Sequence, residues 1–345
     1  MNPSPIFVVG VYRSGTTLLR SMLNAHPQIQ IPVESHFLVP LINQYHHQET
    51  LNDQQVQAIC DSILDHKRFD PWKTKPEELR QAVAELATPT LGAIVEVLFR
   101  LETDTTEKPN IRWGDKTPSY MQHVKRLAEV FPTAQFIHIV RDGRDVSNSL
   151  RDRGWKGATE FQRAKYWAKC VATAESDGAK LGSQRFMQVR YEDLVDNVEE
   201  QLQCVCDFLN LEYQSSMLDY SDAARAQVVS QELHTKLSRL PEPKQDSQRW
   251  RRESSHVRVL CFEGVAGRWL DRCRYSRKFP RWVAMLATLV CLPLGWAADL
   301  LHRLYLLVPV GIRSGLRQNG MFHALRTGIY GRRKPSTATG QGDEQ

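Results

Sequence analysis

The segment Gly10-Val11-Tyr12-Arg13-Ser14-Gly15-Thr16-Thr17 sets two glycines either side of four residues and follows them with two hydroxyls. Such a loop turns tightly, aims backbone N–H groups inward and backs them with a helix N-terminus, an arrangement that holds anions such as phosphate. A nucleoside-triphosphate loop would place Lys directly after the second glycine to reach the β- and γ-phosphates, then Ser or Thr for magnesium. Here Thr16 stands at the lysine position, which disfavours ATP hydrolysis. Ser14, Gly15, Thr16 and Thr17 still suit a single phosphate, and Arg13 brings positive charge from inside the loop.

The longer string VGVYRSGTTLLRSMLNAHP resembles the 5′-phosphosulfate loop of sulfotransferases that use 3′-phosphoadenylyl sulfate (PAPS). Its arginine, the trailing LNAHP and the acidic PVES are most similar to the tyrosylprotein sulfotransferase branch and its bacterial relatives. A second string, FIHIVRDGRDVSNSL (136–150), resembles the family's 3′-phosphate site, where a strand ends in Arg and a Ser lies eight residues on. The resemblance implies that Arg141 and Ser149 grip that phosphate, Arg with a bidentate fork and Ser with a hydroxyl. Without it, Arg141 and Arg144 would read as surface ion pairs with Asp142 and Asp145. Arg190-Tyr191-Glu192-Asp193-Leu194 resembles the family's YEDL segment, which implies Tyr191 at the donor site; a strand-end Tyr followed by a capping Asp is the structural alternative. Lys244, Arg249, Trp250 and Arg251 fall where the family places a late basic loop over the nucleotide.

Sulfuryl transfer requires a base for the acceptor proton, cations for the charge on the moving group and leaving phosphate, and in-line placement. The resemblance implies Arg13 and Lys116, the latter in Trp113-Gly114-Asp115-Lys116-Thr117-Pro118, as the cations. Pro118 stands where the cytosolic small-molecule enzymes carry His, so the implied base is the Glu of the tyrosylprotein branch, Glu34, with His36 as the alternative. Taken alone, an acid or His in a loop is more often a solvated surface residue. The co-substrate implied is PAPS, the co-product PAP, with no metal, and the acceptor a hydroxyl on a protein tyrosine, carbohydrate or lipid. The rivals are a nucleoside or small-molecule kinase on the same loop and a catalytically silent membrane-associated binding protein.

These residues need elements to position them. Ile6–Val9 reads as a strand ending at Gly10, Thr17–Leu23 as a helix and Ile29–Val33 as a second strand. From Phe37 to about Phe99 helical periods predict a helical layer broken at Pro71, Pro76 and Pro89. Ala134–Val140 predicts a buried parallel strand ending in a functional turn, Arg185–Val189 another strand, and 195–209 a helix. Alternating strands and helices predict an α/β, P-loop-type doubly wound parallel sheet flanked by helices. Residues 1–273 would form the catalytic domain, 274–334 a basic and apolar helical appendage, and 335–345 a disordered tail.

The 345 residues, 41% hydrophobic and 24% charged, can bury one substantial core. A formal charge of +6 fits anionic ligands or an anionic membrane, and no nucleic-acid partner is expected. Seven cysteines without CxxC spacing match reduced, cytoplasmic usage rather than a disulfide framework, and Cys204 and Cys206 read as packing residues. Residues 1–5 carry no signal-peptide pattern. Arg274, Arg277, Lys278 and Arg281 lead into Trp282–Ala298, which has no charged residue but contains Pro293 and Gly295. That predicts a segment lying on or dipping into an anionic membrane, against helices packed on the core or a homodimer contact.

Overall fold

The first apolar run, β1 (Ile6–Gly10), has every residue buried and lies at the middle of a five-stranded parallel sheet. The computed structural model describes residues 4–103, 110–157, 159–219, 247–287, 289 and 293. The other strands are β2 (Ile29–Gln30), β3 (Arg112–Asp115), β4 (Gln135–Val140) and β5 (Phe186–Arg190), in the order β2-β3-β1-β4-β5. Period-two alternation in β1 sends Phe7 and Val9 into one core and Ile6 and Val8 into the other. β4 repeats this, with Phe136 and Val140 in the first core and Ile137 and Ile139 in the second. Burying side chains of this size is worth roughly 1.5–3 kcal/mol each, so the central strands anchor both layers.

The second core is closed by α1 (Thr16–Asn24), α9 (Tyr191–Asp196) and α10 (Val198–Leu209). The first is closed by α2 (Leu38–Tyr45), α3 (Asp53–Leu64), α4 (Pro76–Ala84) and α5 (Leu91–Glu102), followed after β3 by α6 (Val124–Val130). On the same side lie α7 (Gly143–Asp152) and the long α8 (Glu160–Leu181). The late α11 (Trp250–Glu253) and α12 (His256–Arg272) pack back onto α7, and α12 also onto α8. The doubly wound reading therefore holds.

Several boundaries differ from expectation. The second strand stops at Gln30. The helix expected over 195–209 is two, divided at Asn197. The break expected at Pro76 is the start of α4, as its fixed φ and missing N–H suit a first helical position. β3 was not anticipated, because Arg112-Trp113-Gly114-Asp115 contains no apolar run. Arg112 is buried there, donating to the carbonyls of Ser4 and Leu209 and to Gln135 Oε1, and burial brings its pKa down to about 10. Cys206 is buried, but Cys204 is exposed rather than a core packing residue. Buried apolar residues continue past 273, with Tyr275 in the first core and Ala284 buried beyond it. Lys244, most of Trp282–Ala298 and the 335–345 tail lie outside the described residues.

Candidate active site

Sheet register decides what meets at the site. Gly10 is level with Ile139 and Val140 with Arg190, so the loop after β1, the turn after β4 and the start of α9 leave the sheet side by side. The strand order reverses at β1, between β3 and β4, and beyond the carboxyl ends of such strands open α/β sheets bind ligands.

The loop after β1 is fixed by backbone conformation. Arg13 has φ 75° and Gly15 φ 97°, and Ser14 N donates to Val11 O at 3.0 Å. A Cβ at residue 15 would lie 2.4 Å from Tyr191 Cδ2, so glycine is required there by both φ and space. Gly15 is also the N-cap of α1, which has no side-chain cap and no acidic residue in its first turn. Ser14 is fully buried and its Oγ has no hydrogen-bond partner. Uncapped N–H groups and an orphaned hydroxyl in one loop are what an anionic ligand would satisfy.

At one flank, Arg13 Nε donates to Ser149 Oγ at 3.0 Å, and Arg141 donates to Arg13 O at 3.2 Å. The Arg141 guanidinium stacks 4.5 Å from the Tyr191 ring centroid, and the Trp167 indole N–H donates to Arg141 O. Arg13, Arg141, Ser149 and Tyr191, far apart in sequence, thus form one cluster on the elements that register brings together. The neighbouring Arg144 is not the surface partner that its spacing allows. It is buried between Asp142 and Glu263, each at 2.7 Å, and stacks on Trp250 at 3.6 Å. Trp250 N donates to Asp145 Oδ1 at 2.6 Å. Burial pushes the Asp145 carboxyl up to about 7, although Arg141 pulls it the other way. Arg249 instead pairs with Glu253 and Asp152, and Arg251 lies over the Trp250 ring.

At the other flank, Lys116 leaves the end of β3 fully buried and reaches Thr17 Oγ1 at 3.2 Å and Glu34 Oε1 at 2.5 Å. The second Glu34 oxygen bonds His36 Nε2 at 2.7 Å. Burial raises the Glu34 pKa, but Lys116 and then His36 outweigh it and bring the carboxyl down to about 2. The Glu34 side chain keeps about a quarter of its exposure (24%), so solvent-borne groups reach a carboxylate held ionised.

Between these two residues stands a brace. Ser35 Oγ donates to Asp115 Oδ2 and also meets Tyr120 OH at 2.8 Å. Ser35 N donates to Thr117 Oγ1 at 3.2 Å, and Leu38 N to Tyr120 OH at 3.1 Å. Asp115 is fully buried, and that burial raises its pKa to about 6. Ser35, Asp115 and Tyr120 were not foreseen as site residues; the one signal was adjacency, since Ser35 follows Glu34 and Asp115 precedes Lys116. The predicted set therefore falls into two groups around the loop, Arg13, Arg141, Ser149 and Tyr191 on one side and Thr17, Glu34 and Lys116 on the other. Together they supply an anion seat, cations and an ionised carboxylate. Among the described residues no group of three or more His, Cys, Asp or Glu is placed to hold a metal ion.

A P-loop-type sheet with Thr16 at the loop-lysine position, Arg13 inside the loop and a paired Lys116 and Glu34 beside it fits group transfer from an anionic donor. The profile of the Sulfotransferase family matches residues 5–215, and the chain belongs to that family. It is 28% identical over 224 residues to a protein-tyrosine sulfotransferase of Drosophila melanogaster, covering 63% of this chain and 40% of that one. Protein-tyrosine sulfotransferase A of Caenorhabditis elegans is 26% identical over 225 residues, covering 62% and 52%. This chain thus spans about half the length of such relatives or less. Among solved structures, the sulfotransferase domain from the Synechococcus PCC 7002 olefin synthase superposes with TM-score 0.57 at 25% identity, covering 81% of this chain and 97% of that domain. The sulfotransferase domain from the curacin biosynthetic pathway gives 0.56 at 19%, covering 80% and 99%.

Proposed function

We propose that this protein transfers the sulfuryl group of PAPS to an acceptor hydroxyl, with protein tyrosine as the favoured acceptor. The observation that carries this is the meeting at Lys116: one buried ammonium in reach of Thr17 on the anion loop and of the Glu34 carboxylate. PAPS supplies an activated sulfuryl group on a phosphosulfate linkage. Gly15, Thr16 and Thr17 would seat its 5′-phosphate on the α1 N-terminus, and Ser14 Oγ would gain a partner. Arg141 and Ser149, with Tyr191 stacked behind, would hold the 3′-phosphate.

Glu34 accepts the acceptor hydroxyl proton as the new S–O bond forms. Lys116 and Arg13 neutralise the negative charge left on the phosphate when the old S–O bond breaks, so protons and charge balance without a metal. A carboxylate held at a pKa near 2 is a weak base while Lys116 grips it. Engagement of Lys116 with the departing phosphate removes that grip and raises the basicity of Glu34 during transfer. The tyrosine preference rests on the similarity of the chain to protein-tyrosine sulfotransferases.

The test is incubation of the purified protein with sulfur-labelled PAPS and a panel of peptide, glycan and lipid acceptors. Label should move to tyrosine peptides without magnesium. Transfer from ATP in preference to PAPS would make it a kinase. PAP binding with no transfer to any acceptor would make it a silent binding protein.

A further inference from the structure

Beyond α12 the chain makes a second, unrelated surface. Residues 281–287 are helical, and Leu289 continues the same face. On that face Trp282 is 65% exposed, Met285 67%, Leu286 52% and Leu289 67%, while Ala284 behind them is buried. The spacing 282, 285, 286, 289 is one stripe of an α-helix, so four large apolar side chains stand together in solvent. Soluble surfaces scatter such residues singly.

Charge says what covers the stripe. From Arg268 to Arg281 the chain carries six cations, Arg268, Arg272, Arg274, Arg277, Lys278 and Arg281, against one acid, Asp271. Arg268, Arg274, Lys278 and Arg281 are exposed. Farther on, 300–334 has seven Lys or Arg and no Asp or Glu. A second copy of the chain would bring the same cations to the contact and be repelled. An anionic bilayer offers opposite charge and an apolar layer beneath it.

The stripe is also tied to the catalytic end. Glu263 accepts from Lys278 N at 2.8 Å and Phe279 N at 3.0 Å while it pairs with Arg144. Arg144 donates to Ser276 O, and Tyr275 OH donates to Glu192 and to Val140 O, the last residue of β4. The root of the 281–287 helix is therefore pinned to the turn that carries Arg141.

We propose that Trp282, Met285, Leu286 and Leu289, with the basic segment 268–281, dock the protein on an anionic lipid surface. The helix lies in the headgroup boundary and holds the carboxyl ends of the strands near it, so acceptors displayed at a membrane are favoured. No helix among the described residues is long and apolar enough to cross a membrane.

The test uses the full chain with sedimenting vesicles of phosphatidylcholine, alone or mixed with phosphatidylglycerol. Wild type should bind the mixed vesicles at least roughly tenfold more tightly, and added salt should weaken that binding. The double variant Met285→Glu/Leu286→Glu should lose it with an unchanged melting temperature and solution mass. Trp282→Ala should weaken it less. Wild-type protein left in the supernatant, equal binding to both vesicles, or a double variant that binds like wild type would each overturn the proposal. So would a lower melting temperature of the variant without vesicles, because another part of this chain would then cover the stripe. A wild-type dimer that the variant converts to monomer would assign the stripe to self-association instead.

Discussion

The Arg141 flank and the Glu34 flank of the site are built on different principles. Around Arg141 the charges are deeply buried and redundantly tied, with Arg144 alone holding Asp142, Glu263, Ser276 O and the Trp250 ring. Around Glu34 a single buried lysine and one histidine hold a partly exposed carboxylate, on a loop where His36 sits at φ 56°. The first arrangement suits a grip whose geometry must not change. The second suits a group that must exchange a partner during each turnover.

The contrast fails most visibly if Lys116→Ala leaves turnover intact. Loss of roughly 10²–10³ in kcat is expected, with a comparable loss for Glu34→Gln, while PAP binding measured by calorimetry survives both. Arg141→Ala should do the reverse, weakening PAP by roughly 10–100-fold through a lost charged hydrogen bond, with kcat changed much less. If both classes of variant lower kcat and affinity together, the two flanks are not separate.

Smaller effects probe the brace and the carboxylate. Asp115 has its folded-state pKa raised from 3.8 to about 6, so it favours folding when protonated; that contribution is present below pH 3.8 and lost as pH rises through about 6. Asp115→Asn should flatten this slope by on the order of 2 kcal/mol between those limits, read from urea unfolding at several pH values. His36→Ala removes one of the groups that depress Glu34. The Glu34 pKa then rises from about 2 towards its ordinary value, and the acid limb of kcat/KM moves to higher pH. A limb that stays put would show that Lys116 alone sets the ionisation.

The same contrast explains what could be read from sequence. The loop at Gly10–Thr17 and the turn at Arg141–Ser149 are local: a strand, a turn and a helix carry their functional residues within a short string, so period and punctuation reveal them. The brace is not local, because Ser35 and Asp115 gain their meaning from each other across 80 positions. β3 was hidden for a related reason. A strand of four residues with a buried arginine at one end and a buried aspartate at the other has no apolar signature, and tertiary partners override its composition. The buried setting of Arg144 was not legible because its second acid, Glu263, arrives from α12.

The close approach of the Tyr191 ring to the α-carbon of Gly15 bears on how this site could be redesigned. Trimming the tyrosine would open space but leave the positive φ, and relaxing the turn would leave the ring in the way. Residue 15 must therefore stay glycine whatever stands at 191, and a mutational library that varies it would discard nearly all of those members, while position 191 is free of that constraint.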